Sequence, residues 1–392
     1  MSEFKLDFQD TATAFSDKSN SQLKEKYRIF KLLNSPFLNA IGTRSATFAL
    51  SLGLPVEGLI KSTIFEQFCG GETIEECEPT VNKLAAAGIG AILDYSIEGK
   101  STEDDFDRTK DEIIRTIKRG KDDPNIPFGV FKVTGIAPLG TLERLSGKKK
   151  LDAKSQMKCE HINARIGEIC SCAYSIGQPV FIDAEETWIQ EAIDRLAIEM
   201  MEKYNLEGPV IFTTLQMYRT DRLQYLKEAR RQAKNDGYVL AVKLVRGAYM
   251  EKERERAEEL GYPSPIHANK QATDRDYDAA VDYCLDHLDD LAFVAGTHNE
   301  KSTLLLARKM HERGIPRDHP HIFYSQLYGM SDNLSYILGK NGYNVSKYVP
   351  YGPVKDTIPY LVRRAEENSS AAGQISRELD LISRELKRRK LD

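Results

Sequence analysis

In the segment DTIPYLVRRAEENS, Tyr360, Arg363, Arg364 and Glu367 fall at i, i+3, i+4 and i+7. At about 100° per residue these four share one face of a helix. Two adjacent guanidiniums can grip a carboxylate through planar, paired donors that lysine cannot copy. The plainer reading is a solvated helix face with Arg–Glu pairs, and the spacing leaves both open. Ile358, Leu361, Val362 and Ala365 occupy the other side and can pack down. Lys132 and Lys243 stand inside the apolar runs FGVFKV and AVKLV. Burying an ammonium without a partner is very costly. Each lysine therefore needs either a carboxylate neighbour in the protein or an anionic ligand. Asp183 ends the run VFID, where it serves either as a helix N-cap or as a partner to those cations. On the first reading, Lys132 and the arginine pair together would make a three-cation pocket suited to a small carboxylic acid.

Other polar residues follow apolar runs elsewhere. Gln216 and Tyr218 come after VIFTTL, Arg246, Gly247, Ala248 and Tyr249 after AVKLV, and Gln326 and Tyr328 lie in FYSQLYGM. Thr297, His298 and Asn299 follow AFVAG and offer donors for a phosphate or a ring, although a lone histidine is more often structural. H-E-x-x-H, G-x-S-x-G and Walker motifs are missing from the sequence, which leaves metal, serine and nucleotide hydrolysis unsupported. No metal is expected. The six cysteines, at 69, 77, 159, 170, 172 and 284, form no C-x-x-C pair and read as idle or buried thiols of a reducing compartment.

Positioning these groups requires a scaffold with many strand ends. Near-continuous apolar runs predict strands at Ile89–Tyr95, Phe128–Val133, Val180–Ile182, Val210–Thr214, Val239–Val245, Ala292–Ala295, Ile322–Tyr324 and Lys347–Val349. Amphipathic stretches between them, such as Trp188–Tyr204, Thr220–Asn235, Tyr277–Leu288 and Ser302–Arg313, predict helices. Eight β-then-α units over roughly 280 residues fit an α/β fold of the (β/α)8, TIM-like class. The competing open doubly wound sheet normally carries G-x-G-x-x-G after its first strand, and that fingerprint is missing here. The expected organisation is an N-terminal helical segment (1–84), the barrel (85–370) with its final helix over the mouth, and a C-terminal helix with a basic tail (371–392). Residues 1 to about 20 read as loose, 21 to about 77 as helical, and 147–154 as a solvated loop.

Hydrophobic content of 41% and charged content of 29% are ordinary for a globular chain, and a net charge of −4 argues against a nucleic-acid partner. The acidic N-terminus lacks the apolar segment of a secretory signal, and no apolar run is long enough to span a bilayer. A cytoplasmic location is expected. Ile375, Leu379, Ile382 and Leu386 form an apolar stripe ahead of the basic run 387–390. It either packs on the barrel or touches an anionic membrane peripherally.

The segments FKVTG, FIDAEE, KLVRGAYM, GTHNEKS, YSQLYGMSD and YLVRRAEEN, in that order, resemble the proline dehydrogenase family, including the barrel domain of bifunctional proline-catabolic enzymes. The resemblance covers about residues 85–370 and, more loosely, the N-terminal helices. It implies a monofunctional, FAD-dependent oxidation of L-proline to Δ1-pyrroline-5-carboxylate by hydride transfer to the flavin N5, the first step of proline catabolism. It implies an FAD held over the barrel mouth by Ala184, Gln216, Lys243, Arg246, Gly247, Ala248, Thr297 and His298, with Lys270 and Thr273 as weaker contacts. It places the substrate carboxylate on Lys132, Arg363 and Arg364, and the substrate ring against Leu244, Tyr249, Tyr348 and Tyr360. Asp183 then orients the cations, Glu367 steadies the arginine face, and Asp183 and Lys243 form the catalytic pair. Several members carry Arg where this chain has Lys243, so the charge is kept and the planar fork is lost. A membrane quinone is the implied electron acceptor. The alternatives are a hydroxyproline dehydrogenase, a folate-reducing flavin barrel, which would need an acid for the pterin and no arginine pair, and a non-catalytic carboxylate-binding barrel.

Overall fold

The computed structural model describes residues 4–33, 64–97, 101–147, 153–358, 360–361 and 374–391. Arg363, Arg364 and Glu367 lie outside the described residues, as do 34–63 of the expected helical segment and 148–152 of the expected loop.

All eight expected strands form: β1 (Gly90–Tyr95), β2 (Gly129–Lys132), β3 (Val180–Asp183), β4 (Ile211–Gln216), β5 (Leu240–Val245), β6 (Leu291–Gly296), β7 (Ile322–Leu327) and β8 (Val345–Tyr351). They run parallel in the order β1-β8-β7-β6-β5-β4-β3-β2, a near-closed barrel with helices between the strands. That order excludes the open doubly wound sheet. The apolar runs are explained by burial on both faces: all six residues of β4 are buried, and five of six in β5.

The chain packs as two compact units, 99–325 and 1–98 together with 326–392. In the first, helices such as Thr187–Tyr204, Arg222–Asp236, Lys270–Leu285 and Glu300–Glu312 alternate with β2 to β6. Two of these start on asparagine caps. Asn269 accepts from Ala272 N, and Asn299 accepts from Lys301 N and Ser302 N. The cap at Asn269 explains why its helix begins at Lys270, well before the expected Tyr277.

In the second unit, β1 and β8 pair in parallel, with Ile92 opposite Tyr348. Residues 4–20 are not loose. Asp10 caps a short helix, Thr11–Ala14, and Phe8, Ala14 and Phe15 are buried. The helix Gln374–Arg388 joins the same core, where Leu381, Ile382 and Leu386 pack with Phe15, Leu23 and Phe30. Ile375 is buried and Leu379 packs against this cluster. Of the basic run, Arg389 donates to Phe15 O at 2.8 Å and Lys18 O at 2.7 Å. The apolar stripe is therefore interior surface, and docking on a membrane through that face is ruled out. Ile382→Ala is expected to cost about 2–5 kcal/mol, read as a lower urea midpoint. An unchanged midpoint would mean that this helix is not docked.

A buried ion cluster fixes the turn after β7. Lys26 and Lys347 reach Asp332 at 2.7 and 3.0 Å. Burial disfavours the charge on Asp332, yet the two ammoniums hold its carboxyl far below the usual carboxylate range.

Candidate active site

Side chains alternate between the two faces of a strand. Phe128 stacks on Phe181 with ring centroids 4.5 Å apart, and meets Phe212 at 5.5 Å and Phe323 at 4.9 Å. Residues on β3, β4 and β7, and the one just before β2, thus share an aromatic layer inside the barrel. One step nearer the C-terminal strand ends, the register sets Lys132 beside Asp183 and Thr214 beside Lys243. Lys243 donates to Asp183 Oδ1, and its Nζ lies 4.9 Å from the Phe181 ring centroid. Thr214 Oγ1 approaches the same oxygen at 3.5 Å. Lys243 therefore has a carboxylate partner within the protein. Asp183 closes β3, and the following helix is capped at Glu186 without a side-chain bond. Asp183 is thus not an N-cap; it stands between two lysines. Leu244 is fully buried on the face of β5 opposite Lys243. This corrects its expected place against a substrate ring, because the strand turns it away from the barrel interior.

Glu185 was not singled out from the sequence, yet it joins four strand ends. Its carboxylate accepts from Thr134 N at 3.0 Å and from Thr134 Oγ1. Its own amide donates to Gln190 Oε1 at 2.8 Å. Its carbonyl accepts from Gln216 Nε2 at 2.7 Å, and Gln216 Oε1 accepts from Ala248 N at 3.2 Å. Burial pushes its carboxyl up to about 7, against the pull of the Thr134 bonds and the Lys132 charge. Ala184, half-buried, links this acid to Asp183.

Arg246, just past β5, organises a second cluster. Its Nε donates to Asp274 Oδ1 at 2.7 Å, and its terminal nitrogens donate to Thr297 Oγ1 at 2.5 Å and Ser302 Oγ at 2.9 Å. The guanidinium carbon lies 4.3 Å from the Tyr277 ring centroid. Lys270, largely exposed, donates to the other oxygen of Asp274 at 2.5 Å. Thr273 is buried one turn on, and half-buried His298 sits between Thr297 and the cap Asn299. Arg246 and Lys270 supply positive charge and the Thr297 hydroxyl a donor, beside the N-termini of helices Lys270–Leu285 and Glu300–Glu312. That donor set suits a phosphorylated cofactor. Gly247 has φ +136°, and a Cβ there would stand 2.5 Å from the Tyr218 ring. Only glycine lets the backbone cross that ring. Tyr249, half-buried, precedes the helix Met250–Leu260.

In the other unit, Tyr348 is buried on the face of β8 opposite Lys347, and Tyr360 is buried in the core cluster that holds Leu361 and Phe65. Residues 77–377 match the family described as "Proline dehydrogenase". The chain belongs to the proline dehydrogenase family. That family is flavin-dependent. Among its relatives, the carbapenem antibiotics biosynthesis protein CarD of Pectobacterium carotovorum is 37% identical, covering 85% of this chain and 86% of that one. Mitochondrial proline dehydrogenase 1 of Arabidopsis thaliana is 32% identical over 98% of this chain and 86% of its own. Hydroxyproline dehydrogenase of Xenopus laevis is 30% identical over 96% and 90%. The crystal structure of proline utilization A from Bdellovibrio bacteriovorus shares the fold, with a TM-score of 0.72 at 19% identity, covering 95% of this chain and 40% of that longer one.

The motifs within the barrel pointed to Lys132, Asp183, Gln216, Lys243, Arg246, Ala248 and Thr297, and the structure gathers them at strand ends of one unit. Thr134, Glu185, Asp274, Tyr277 and Ser302 were missed. Their neighbours in sequence are ordinary helix-start residues, and nothing in local spacing marks them.

Proposed function

We propose that this chain binds FAD at the strand ends of residues 99–325, oxidises L-proline to Δ1-pyrroline-5-carboxylate, and passes the electrons to a membrane quinone from a cytoplasmic, peripheral position. Membership of the proline dehydrogenase family supports the substrate and reaction. The observation that carries the site assignment is the inward layer of Lys132, Asp183 and Lys243 next to the Arg246 cluster.

When bound, the flavin supplies the two-electron acceptor. Arg246 has five N–H donors, three of which bond protein groups. The others, with Lys270 and the two helix N-termini, would hold the negatively charged end of the cofactor. The Thr297 hydroxyl holds Arg246 in place, and Thr273 and His298 line the same helix starts. Gln216, fixed by Glu185 O and Ala248 N, presents the amide edge of the β4 end. Lys243 keeps a positive charge in the barrel mouth, and Asp183 orients it. Lys132 attracts the proline carboxylate, held against water by the buried residues around it. Arg363, Arg364, Glu367, Tyr249, Tyr348 and Tyr360 keep the substrate roles that the motif resemblance assigns them. The proline amine must be neutral to release hydride from its neighbouring carbon, and water takes its proton.

The relationship to a hydroxyproline dehydrogenase favours a second reading, in which trans-4-hydroxy-L-proline is the substrate. The place that the motif resemblance implies for Tyr348 argues for proline, because a phenol against the ring would leave a 4-hydroxyl without a partner. A buried unpaired hydroxyl costs about 1–3 kcal/mol. Steady-state kinetics with a dye acceptor are expected to favour L-proline by at least about tenfold in kcat/KM, and Tyr348→Ser is expected to narrow the gap. Equal values, or a preference for hydroxyproline, would move the chain to the second reading. A quinone that fails to oxidise the proline-reduced protein would remove the proposed acceptor.

A further inference from the structure

We infer that Glu185 is a positioning residue that sets the strength of the Lys132 carboxylate site through its own protonation, so that binding of an anionic substrate takes up a proton. The inference rests on the proposed role of Lys132 in holding the substrate carboxylate.

The geometry gives the coupling its route. Thr134, which bonds the Glu185 carboxylate by both its amide and its hydroxyl, lies two residues after Lys132 at the end of β2. Lys132 and Asp183 are register partners on β2 and β3, and Glu185 lies two residues beyond Asp183, with Ala184 between them. Glu185 is 3% exposed, so its charge is poorly screened, and it interacts electrostatically with Lys132. Charged groups among the described residues stand around it. Lys132 faces it from β2 and favours its ionised form, while Glu186 beside it favours the neutral form. Glu253, on the helix Met250–Leu260, bonds Thr187 N at 2.7 Å and stands behind Glu186. Asp194 meets it only through Gln190, and is itself paired with Arg222 at 2.7 Å. Gln216 on β4 is neutral. Asp183 already faces Lys243.

Burial sets the carboxyl near neutrality, at about 7. Above that pH Glu185 carries a charge that offsets Lys132 and weakens its pull on a substrate carboxylate. Below it, that offset is removed and the pull strengthens. By linkage, a bound carboxylate next to Lys132 raises the proton affinity of Glu185.

The test uses the flavin-loaded protein and cyclopentanecarboxylate, a ring carboxylate without an amine, so that no substrate nitrogen titrates. Calorimetric titration in buffers of different ionisation enthalpy reads affinity and proton uptake together. In the wild type, affinity is expected to fall about three- to tenfold as pH rises through neutrality, with fractional proton uptake in between. Glu185→Gln is expected to bind at the tighter, low-pH level throughout, with no uptake from this group. Thr134→Val keeps the backbone donor and loses the hydroxyl that favours the charged acid, so its step should move to higher pH. Identical pH profiles in wild type and both variants would overturn the role of Glu185 and leave the carboxylate site standing. Absence of binding at every pH, or binding unchanged in Lys132→Met, would overturn the site itself and this inference with it.

Discussion

Arg246→Ala is expected to purify folded but nearly colourless. The wild-type guanidinium ties the end of β5 to Asp274, Thr297 and Ser302, and lies against the Tyr277 ring. Truncation removes the charge meant for the cofactor and leaves Asp274 with Lys270 as its remaining partner. Losing a charge-assisted hydrogen bond to the cofactor costs about 1.5–3 kcal/mol. At about 1.4 kcal/mol per tenfold, flavin affinity should drop by between roughly tenfold and about 150-fold. Arg246→Lys keeps the charge without the fork and should retain an intermediate amount. The check is the ratio of flavin to protein absorbance after purification, with circular dichroism to confirm the fold. Full flavin content in both variants would place the cofactor's charged end elsewhere.

Asp183→Ala is the second large effect, and it reports on stability as well as turnover. Lys243 is 6% exposed in its side chain, and Asp183 is its carboxylate partner. Removing the acid takes the carboxylate partner away from a buried ammonium, which costs about 3–5 kcal/mol. Asp183→Asn, which keeps an oxygen acceptor, should cost less. The double variant Asp183→Ala with Lys243→Met removes both charges and should recover much of the loss, as expected for residues coupled in one pair. Denaturant midpoints on the flavin-free protein separate this from cofactor binding. A single variant as stable as the wild type would show that the ion pair does not hold the barrel mouth.

Much of this was legible in the chain because burial on both faces writes continuous apolar runs. That signal located every strand. It could not give the direction of each side chain. Leu244 and Lys243 are adjacent in one motif and so face opposite ways, and only the contact of Lys243 with Asp183 shows which of them faces inward. Asp183 also allowed a second reading as a helix cap, and the structure separates the two by placing the cap at Glu186. The N-terminal TATAFSDKSN is polar enough to read as loose, yet two phenylalanines, Phe8 and Phe15, anchor it in a core built from distant segments. Glu185 lay hidden because paired acids before a helix are the usual complement to its dipole. Its long-range partners, Thr134 and Gln216, come from other strands and leave no local spacing.

The central claim is that this barrel carries a flavin that L-proline reduces. Anaerobic titration of the purified, yellow protein with L-proline tests it most directly, with D-proline as the control. The expected result is stoichiometric loss of the visible flavin absorbance with L-proline, appearance of a pyrroline product and recovery of colour on adding a quinone, while D-proline has little effect. A protein that releases no flavin on denaturation, or whose flavin stays oxidised at saturating L-proline, would contradict the claim.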